Sequence, residues 1–206
     1  MAKKKQSETA YKKHRAAAAK RARMESAGDR EIGPLPAVEN PQRRNDCAED
    51  LQLALETYFP DVFALGWSHQ HIEVIDCLYA TLREGGLFAI GMPRGSGKTS
   101  LCVHGAILAM LYGWRSFLVL IGATQEAAQE MLDIIKVQLE TNDVLLADFP
   151  EICYPIRQLE GIIQRSKGQT INGEPTSMQW SGRKCAVLPT VTGAAGSGGI
   201  IRAAGL

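Results

Sequence analysis

Gly91-Met92-Pro93-Arg94-Gly95-Ser96-Gly97-Lys98-Thr99-Ser100 stands between two apolar segments of different length. Before it comes the short run Leu87-Phe88-Ala89-Ile90, and after it the longer Leu101-Cys102-Val103-His104-Gly105-Ala106-Ile107-Leu108-Ala109-Met110-Leu111. A strand-length run, a glycine-rich turn closing on Gly-Lys-Thr and then a helix-length run is the order a phosphate-binding loop requires. Glycine opens backbone conformations closed to other residues, so successive N–H groups can face inward around a phosphate. The helix that follows adds unpaired N–H groups and the positive end of its dipole. In that setting the Lys98 ammonium is placed for β- and γ-phosphates, and the Thr99 hydroxyl for Mg²⁺. The expectation is a nucleoside triphosphate site. Its spacing departs from Gly-x-x-x-x-Gly-Lys-[Ser/Thr] at the first position, where Met92 stands and Gly91 comes one residue early. Gly95 and Gly97 leave the inner turn free, while Pro93 stiffens its entry. The plainer alternative, a glycine-rich turn with a solvated lysine, is weakened by the two flanking elements.

Downstream, Gly113 reads as the helix stop, and Phe117-Leu118-Val119-Leu120-Ile121 as a parallel strand covered on both faces. Its distance of about 30 residues from the first run suits a βαβ unit. Residues 87–91 and 117–121 are therefore expected as parallel strands of one sheet, with Lys98 starting the helix between them. Thr124 caps the next helix, whose stripe reads Ala127, Ala128, Met131, Ile134, Ile135 and Leu139. Pro150 and Pro155 divide residues 144–160 into short pieces. Residues 177–180 and 185–188 read as two strands joined by Ser181-Gly182-Arg183. The glycine-rich residues 193–199 read as a mobile connection, since no Lys-Ser or Lys-Thr follows them, and residues 200–204 resume strand character.

Upstream, Asn45 or Asp46 opens a helix carrying Ala48, Leu51, Leu55 and Tyr58, which Pro60 ends. A second helix begins in Trp67-Ser68-His69-Gln70-His71 with Ser68 as cap. It buries Ile72, Ile75, Leu78 and Leu82 and stops at Gly85-Gly86. His69, His71 and His104 have no evident metal-ligand partner and read as surface or packing residues. Gly33, Pro34, Pro36, Asn40 and Pro41 mark residues 28–44 as a linker. The expected division is a basic tail and linker over 1–45 and a domain over 46–206.

With 206 residues, 45% of them hydrophobic, the chain can bury one α/β core and carry a tail. No apolar run reaches about 18 residues, which argues against a membrane span. The lysine-rich start lacks the apolar segment of a secretory signal. Five scattered cysteines without a Cys-x-x-Cys pair suit a reducing cytoplasm rather than a disulfide framework or zinc site. The net charge of +1 is unevenly spread: nine Lys and Arg crowd the first two dozen residues against Glu8 alone. Residues 7–26 favour helix by propensity but have almost no apolar stripe. They suit either contact with nucleic-acid phosphates or a solvated tail.

Three stretches together resemble the N-terminal ATPase region of phage terminase large subunits. Pro93-Arg94-Gly95-Ser96-Gly97-Lys98-Thr99 has the arginine-bearing loop common in that family, which accounts for the missing first glycine. Residues 118–136, with Ala123-Thr124-Gln125-Glu126-Ala127-Ala128 after the strand, resemble the segment following the family's second core strand. Residues 67–70 resemble its upstream adenine-contact segment and point to Gln70. The resemblance spans residues 47–206. It implies a RecA/ASCE-like P-loop NTPase fold, a parallel sheet flanked by helices. ATP and Mg²⁺ would be the cofactors. Nucleotide contacts would come from Gln70, Pro93, Arg94, Gly95, Ser96, Gly97, Lys98, Thr99 and Ser100. Lys98 and Arg94 would serve phosphoryl transfer, and Thr99 the metal. For Arg94 a loop-anchoring ion pair is the alternative. The implied partners are double-stranded DNA, the procapsid portal, the terminase small subunit and further copies of the chain, in the host cytoplasm.

An ATPase of this type also needs an acidic strand for Mg²⁺ and a carboxylate to orient water. No strand here ends in paired acids, and Leu145-Leu146-Ala147-Asp148 is a poor substitute, being short and followed by Phe149-Pro150. The expectation is a fragment lacking that strand and the family's nuclease domain. A helicase-like ATPase and a non-hydrolysing nucleotide- and DNA-binding module are the competing readings.

Overall fold

Residues 30–206 are described by the structure, a computed structural model. The expected helical or solvated basic run over residues 7–26 lies outside them. Packed structure begins well before residue 46. The Ile32 N–H donates to the Thr170 carbonyl at 3.0 Å. Asn40 then opens helix α1 (Pro41–Glu49), accepting the Arg43 N–H at 2.9 Å. Pro41 takes the first helical position, where a missing N–H costs nothing. The Asn-Pro pair expected in a linker is a helix start. Asp50 then interrupts the chain and caps α2 (Leu51–Tyr58), accepting the Leu53 N–H at 2.9 Å, so the one expected helix is two. Their buried side is Cys47, Leu51, Ala54, Leu55 and Tyr58.

Helix α3 (His69–Glu84) starts after Ser68 and stops at Gly85, as expected, although Ile72 stays exposed and only Ile75 and Leu78 are fully buried. Helix α4 (Lys98–Leu111) is the central element, with Leu101 and every residue from Val103 onward buried. A helix apolar on all sides belongs in a core.

Strand β1 (Phe117–Gly122) leads into α5 (Gln125–Thr141), capped by Thr124 Oγ1, which accepts the Ala127 N–H at 3.2 Å. Short helices α6 (Asp143–Asp148) and α7 (Pro150–Arg157) follow. Pro150 begins α7, and Pro155 lies inside it without ending it. A one-turn 3₁₀ helix (Ile163–Ser166) and the small hairpin β2 (Thr170–Ile171) and β3 (Glu174–Pro175) lead to β4 (Cys185–Val187) and β5 (Ile200–Gly205). Seven α-helices and two small sheets thus make a mixed α/β fold among the described residues.

The larger sheet has the order β1-β5-β4. β1 and β5 run parallel from Phe117↔Ile200 to Gly122↔Gly205, and β4 joins β5 antiparallel. Residues 87–91 are not part of it. They lie outside regular structure, and residues 86–92 make no backbone–backbone hydrogen bond among the described residues. A strand exists only through a neighbour's ladder, and β1 takes β5 as its parallel partner instead. Nor is β1 covered on both faces. Leu120 is buried, with Ile201 and Ala203 beside it, whereas Phe117, Val119 and Ile121 are 53%, 44% and 61% exposed.

Residues 193–199 are not a loose connection. A methyl on Gly196 would come within 2.5 Å of the Met110 carbonyl oxygen, and Gly199 lies just as close to the Met110 side chain. These glycines allow the chain to press against the end of α4. The expected hairpin of residues 177–188 shrinks to one antiparallel bridge, Gln179↔Val187.

Candidate functional site

The turn before α4 keeps the geometry that the sequence calls for. Gly97 is the N-terminal cap in the left-handed region, φ 76° and ψ 12°, and Gly95 has φ 82°. A methyl group at either would meet nothing within 4 Å, so backbone conformation, not space, demands glycine. Lys98 is the first residue of the helix, as expected. Its ammonium donates to the carbonyls of Met92 (2.9 Å) and Pro93 (2.7 Å). Pro93 also accepts the Ser96 N–H at 3.4 Å, so residues 93–96 fold into a turn spanned by the lysine. Arg94 and Thr99 are exposed, and neither side chain is hydrogen-bonded or ion-paired among the described residues. The ion pair considered for Arg94 is therefore not seen there. Ser100 is half-buried, and its carbonyl accepts His104 Nδ1–H at 2.8 Å.

A pocket of about 270 Å³ lies between this turn and the loop ahead of α3, with Phe63, Trp67, His71, Ser96 and Ser100 in its wall. That is just under the usual range of about 300–1,000 Å³ for small-molecule sites and suits one ring system better than a whole nucleotide. Aromatic contacts run along its side: Phe63 to Trp67 at 5.2 Å, and Trp67 to His71 at 5.9 Å between ring centroids. The Trp67 indole N–H donates to Glu56, which fixes the ring against α2. Ser96 Oγ is buried and has no partner among the described residues. Gln70 is exposed one residue before His71 and is not part of the wall. No carboxylate lines the pocket.

The three histidines considered together differ sharply. His69 sits on the surface against Glu73, at 3.2 Å. His104 is 3% exposed, with the rings of Phe59 and Phe63 at 4.5 and 5.5 Å. Burial lowers its pKa, which keeps it neutral, and its Nε2 is unpartnered among the described residues. His71 reaches the glycine turn before α4 itself, with Nε2 at 3.0 Å from the Ser96 carbonyl oxygen. The expectation of a surface or packing residue did not include that contact. The available signal was its place three residues after the Ser68 cap, where a side chain can turn back toward the chain start.

Asp148, the acid weighed and set aside as a substitute for the missing acidic strand, is engaged elsewhere. It is fully buried, holds Arg43 through both carboxylate oxygens at 2.7 Å each, and accepts the Tyr58 hydroxyl at 2.9 Å. Neither strand beside the loop helix carries an acid: β1 is FLVLIG and β5 is IIRAAG. A larger cavity of about 650 Å³, lined by Arg30, Glu31, Glu160 and Arg165 among others, mixes both charge signs and has no glycine turn opening a long helix. Comparison with family models, with curated proteins and with solved structures finds no match to this chain.

Proposed function

We propose that residues 93–100 bind the phosphates of ATP, and that the chain is the nucleotide-binding part of a DNA-packaging motor of the terminase large-subunit type. The observation that carries the nucleotide reading is the junction at Gly97 and Lys98. There a left-handed glycine turns directly into a buried helix, and a lysine stands at the helix start. Such a junction gathers free amide donors, the helix dipole and a mobile cation at one point. Lys98 has three N–H donors and uses two of them on loop carbonyls. Exchanging those carbonyls for phosphate oxygens needs only side-chain rotation. The neighbouring aromatic pocket offers Trp67 and Phe63 to the base.

A P-loop NTPase fold of the RecA/ASCE kind belongs to the same proposal. The parallel β1–β5 pair beside α4 and α5 favours it, and the unpaired residues 87–91 count against it. For Mg²⁺ the loop would offer the exposed Thr99 hydroxyl, and phosphate and water oxygens would supply the remainder. Arg94, exposed on the loop, would face the γ-phosphate. Packaging itself rests on the family resemblance. Double-stranded DNA would meet the basic N-terminal run, and the portal, the small subunit and further copies would assemble around it in the host cytoplasm. A second reading, nucleotide binding without hydrolysis, is favoured by the absence of any carboxylate on β1 and β5.

Calorimetric titration with Mg-ATP, alongside phosphate release on the same preparation, tests both. Lys98→Ala should weaken ATP by about 10- to 100-fold, the usual worth of a charged hydrogen bond. Unchanged affinity, or no binding by the wild type, refutes the nucleotide reading. Brisk Lys98-dependent turnover refutes the non-hydrolysing one.

A further inference from the structure

We infer that His71 is a positioning residue of the phosphate loop, holding the Ser96–Gly97 peptide so that the Gly97 N–H faces the loop interior. The inference rests on the nucleotide reading of residues 93–100 and assigns a residue which that reading does not include.

The hydrogen bonds fix the state of the ring. The Ser68 backbone N–H points at His71 Nδ1 from 3.2 Å, and Ser68 Oγ lies 2.7 Å from the same nitrogen. A backbone N–H only donates, so Nδ1 must accept and the ring hydrogen sits on Nε2. Nε2–H therefore donates to the Ser96 carbonyl at 3.0 Å. That carbonyl has no other partner among the described residues. The contact joins residues 25 apart, the first turn of α3 and the turn that opens α4.

Peptide planarity makes this contact matter. In a trans peptide the carbonyl of one residue and the N–H of the next point in opposite directions, and no peptide among the described residues is cis. Drawing the Ser96 oxygen toward α3 turns the Gly97 N–H the other way. Gly97 N–H has no acceptor among the described residues. The preceding peptide, Gly95–Ser96, is held as well, since the Ser96 N–H donates to the Pro93 carbonyl. Glycines at 95 and 97 allow the loop its shape but cannot enforce one, because glycine is the least restricted residue. The enforcement comes from outside the loop, through His71, whose own ring is steadied by Ser68 and packed on Trp67. His71 thus links the wall of the aromatic pocket to the phosphate turn.

A phosphate-only probe separates this role from base contact. Inorganic tripolyphosphate and ATP are titrated into wild type, His71→Phe, His71→Gln and Trp67→Ala, with urea unfolding of each as the folding control. His71→Phe keeps a ring against Trp67 and removes both nitrogens, and should weaken tripolyphosphate and ATP by the same factor, about five- to tenfold for one neutral hydrogen bond. His71→Gln, whose amide nitrogen can stand near the position of Nε2, should recover most of that loss. Trp67→Ala should weaken ATP by a larger factor than tripolyphosphate, since it removes base contact and only one side of the packing on His71. Equal tripolyphosphate affinity in wild type and His71→Phe overturns the inference while leaving the nucleotide reading intact. So does a loss confined to ATP, or a glutamine variant no better than phenylalanine. A wild type that binds neither probe overturns both readings together. If His71→Phe fails to fold, His71→Leu replaces it: a several-fold loss of tripolyphosphate affinity is expected, and no loss rejects the role.

Discussion

Arg43→Ala should destabilise the chain far more than the loss of an ordinary surface arginine, because its partner cannot be rehydrated. Asp148 is completely buried, while the Arg43 side chain is 32% exposed. The carboxylate receives Arg43 Nη2 on one oxygen and Arg43 Nε with the Tyr58 hydroxyl on the other. Burial, then the neighbouring Tyr112 and Asp148, push the Tyr58 pKa up, so that hydroxyl remains a donor. This cluster ties α1, α2 and α6 together. Removing one partner of a buried pair costs about 3–5 kcal/mol. The partial exposure of Arg43 calls for a discount, to about 2–4 kcal/mol. Asp148→Ala should cost less, about 1–3 kcal/mol, because Arg43 can turn to water and only the Tyr58 hydroxyl is left stranded. The double variant should then fall well short of the sum, as residues in one network do. Arg44 still holds the Asp148 carbonyl and Glu151, so the α6–α7 junction should survive each change. Urea unfolding followed by circular dichroism reads all three differences, provided the slope with denaturant stays constant. An Arg43→Ala cost below about 1 kcal/mol, or additive single variants, would refute the reasoning. If the proposed nucleotide reading holds, folded Asp148→Ala should bind ATP as tightly as the wild type, and weaker binding would place Asp148 in that proposed site.

What could be read from the sequence was mostly local. The need for glycine before Lys98 is a backbone property of one turn, and Ser68, Thr124 and Gly85 mark helix ends through contacts within four residues. Strand β1 was legible as an apolar run, and so was β5. Their pairing was not, because the ladder joins residues 83 positions apart, Phe117 with Ile200. Residues 87–91 show the same limit from the other side: an apolar run before a glycine turn looks like a strand, yet it acquires a ladder only if a neighbour arrives. Asn40-Pro41 was ambiguous for a different reason, since both residues serve turns and helix starts equally well. What decides for the helix is Arg43 and Arg44 reaching Asp148 and Glu151 more than a hundred residues away. On α5 the buried stripe is Ala128, Leu132, Ile135 and Leu139. Including Ile134 and omitting Leu132 turned the face by part of a turn, and Ile134 is 41% exposed. The glycines at 196 and 199 are legible as glycines, but whether they serve motion or close approach depends on Met110, far away in sequence. His71 fails for the same cause. Its ring is aimed by a neighbour three residues back, and its role lies 25 residues ahead.

Gly196→Ala should cost about 1–3 kcal/mol in urea unfolding, because the new methyl would press on the Met110 and Leu111 carbonyls, which are backbone and cannot swing aside. Gly66→Ala, which meets nothing within 4 Å, should change stability by less than about 0.5 kcal/mol, and equal costs at the two sites would reject the packed-loop account. His104 sets a pH dependence of known sign. Burial among Phe59 and Phe63 lowers its pKa in the folded chain below the ordinary value of about 6.5, so the unfolded chain takes up a proton that the folded chain refuses. Its contribution to stability is therefore whole above about pH 6.5 and declines as the pH falls toward the folded-state pKa, by at most about 1.4 kcal/mol per pH unit. The difference between wild type and His104→Leu isolates the buried ring. Between pH 7 and pH 5.5 the wild type should lose stability faster than His104→Leu, and parallel curves would mean that His104 is protonated in the fold after all.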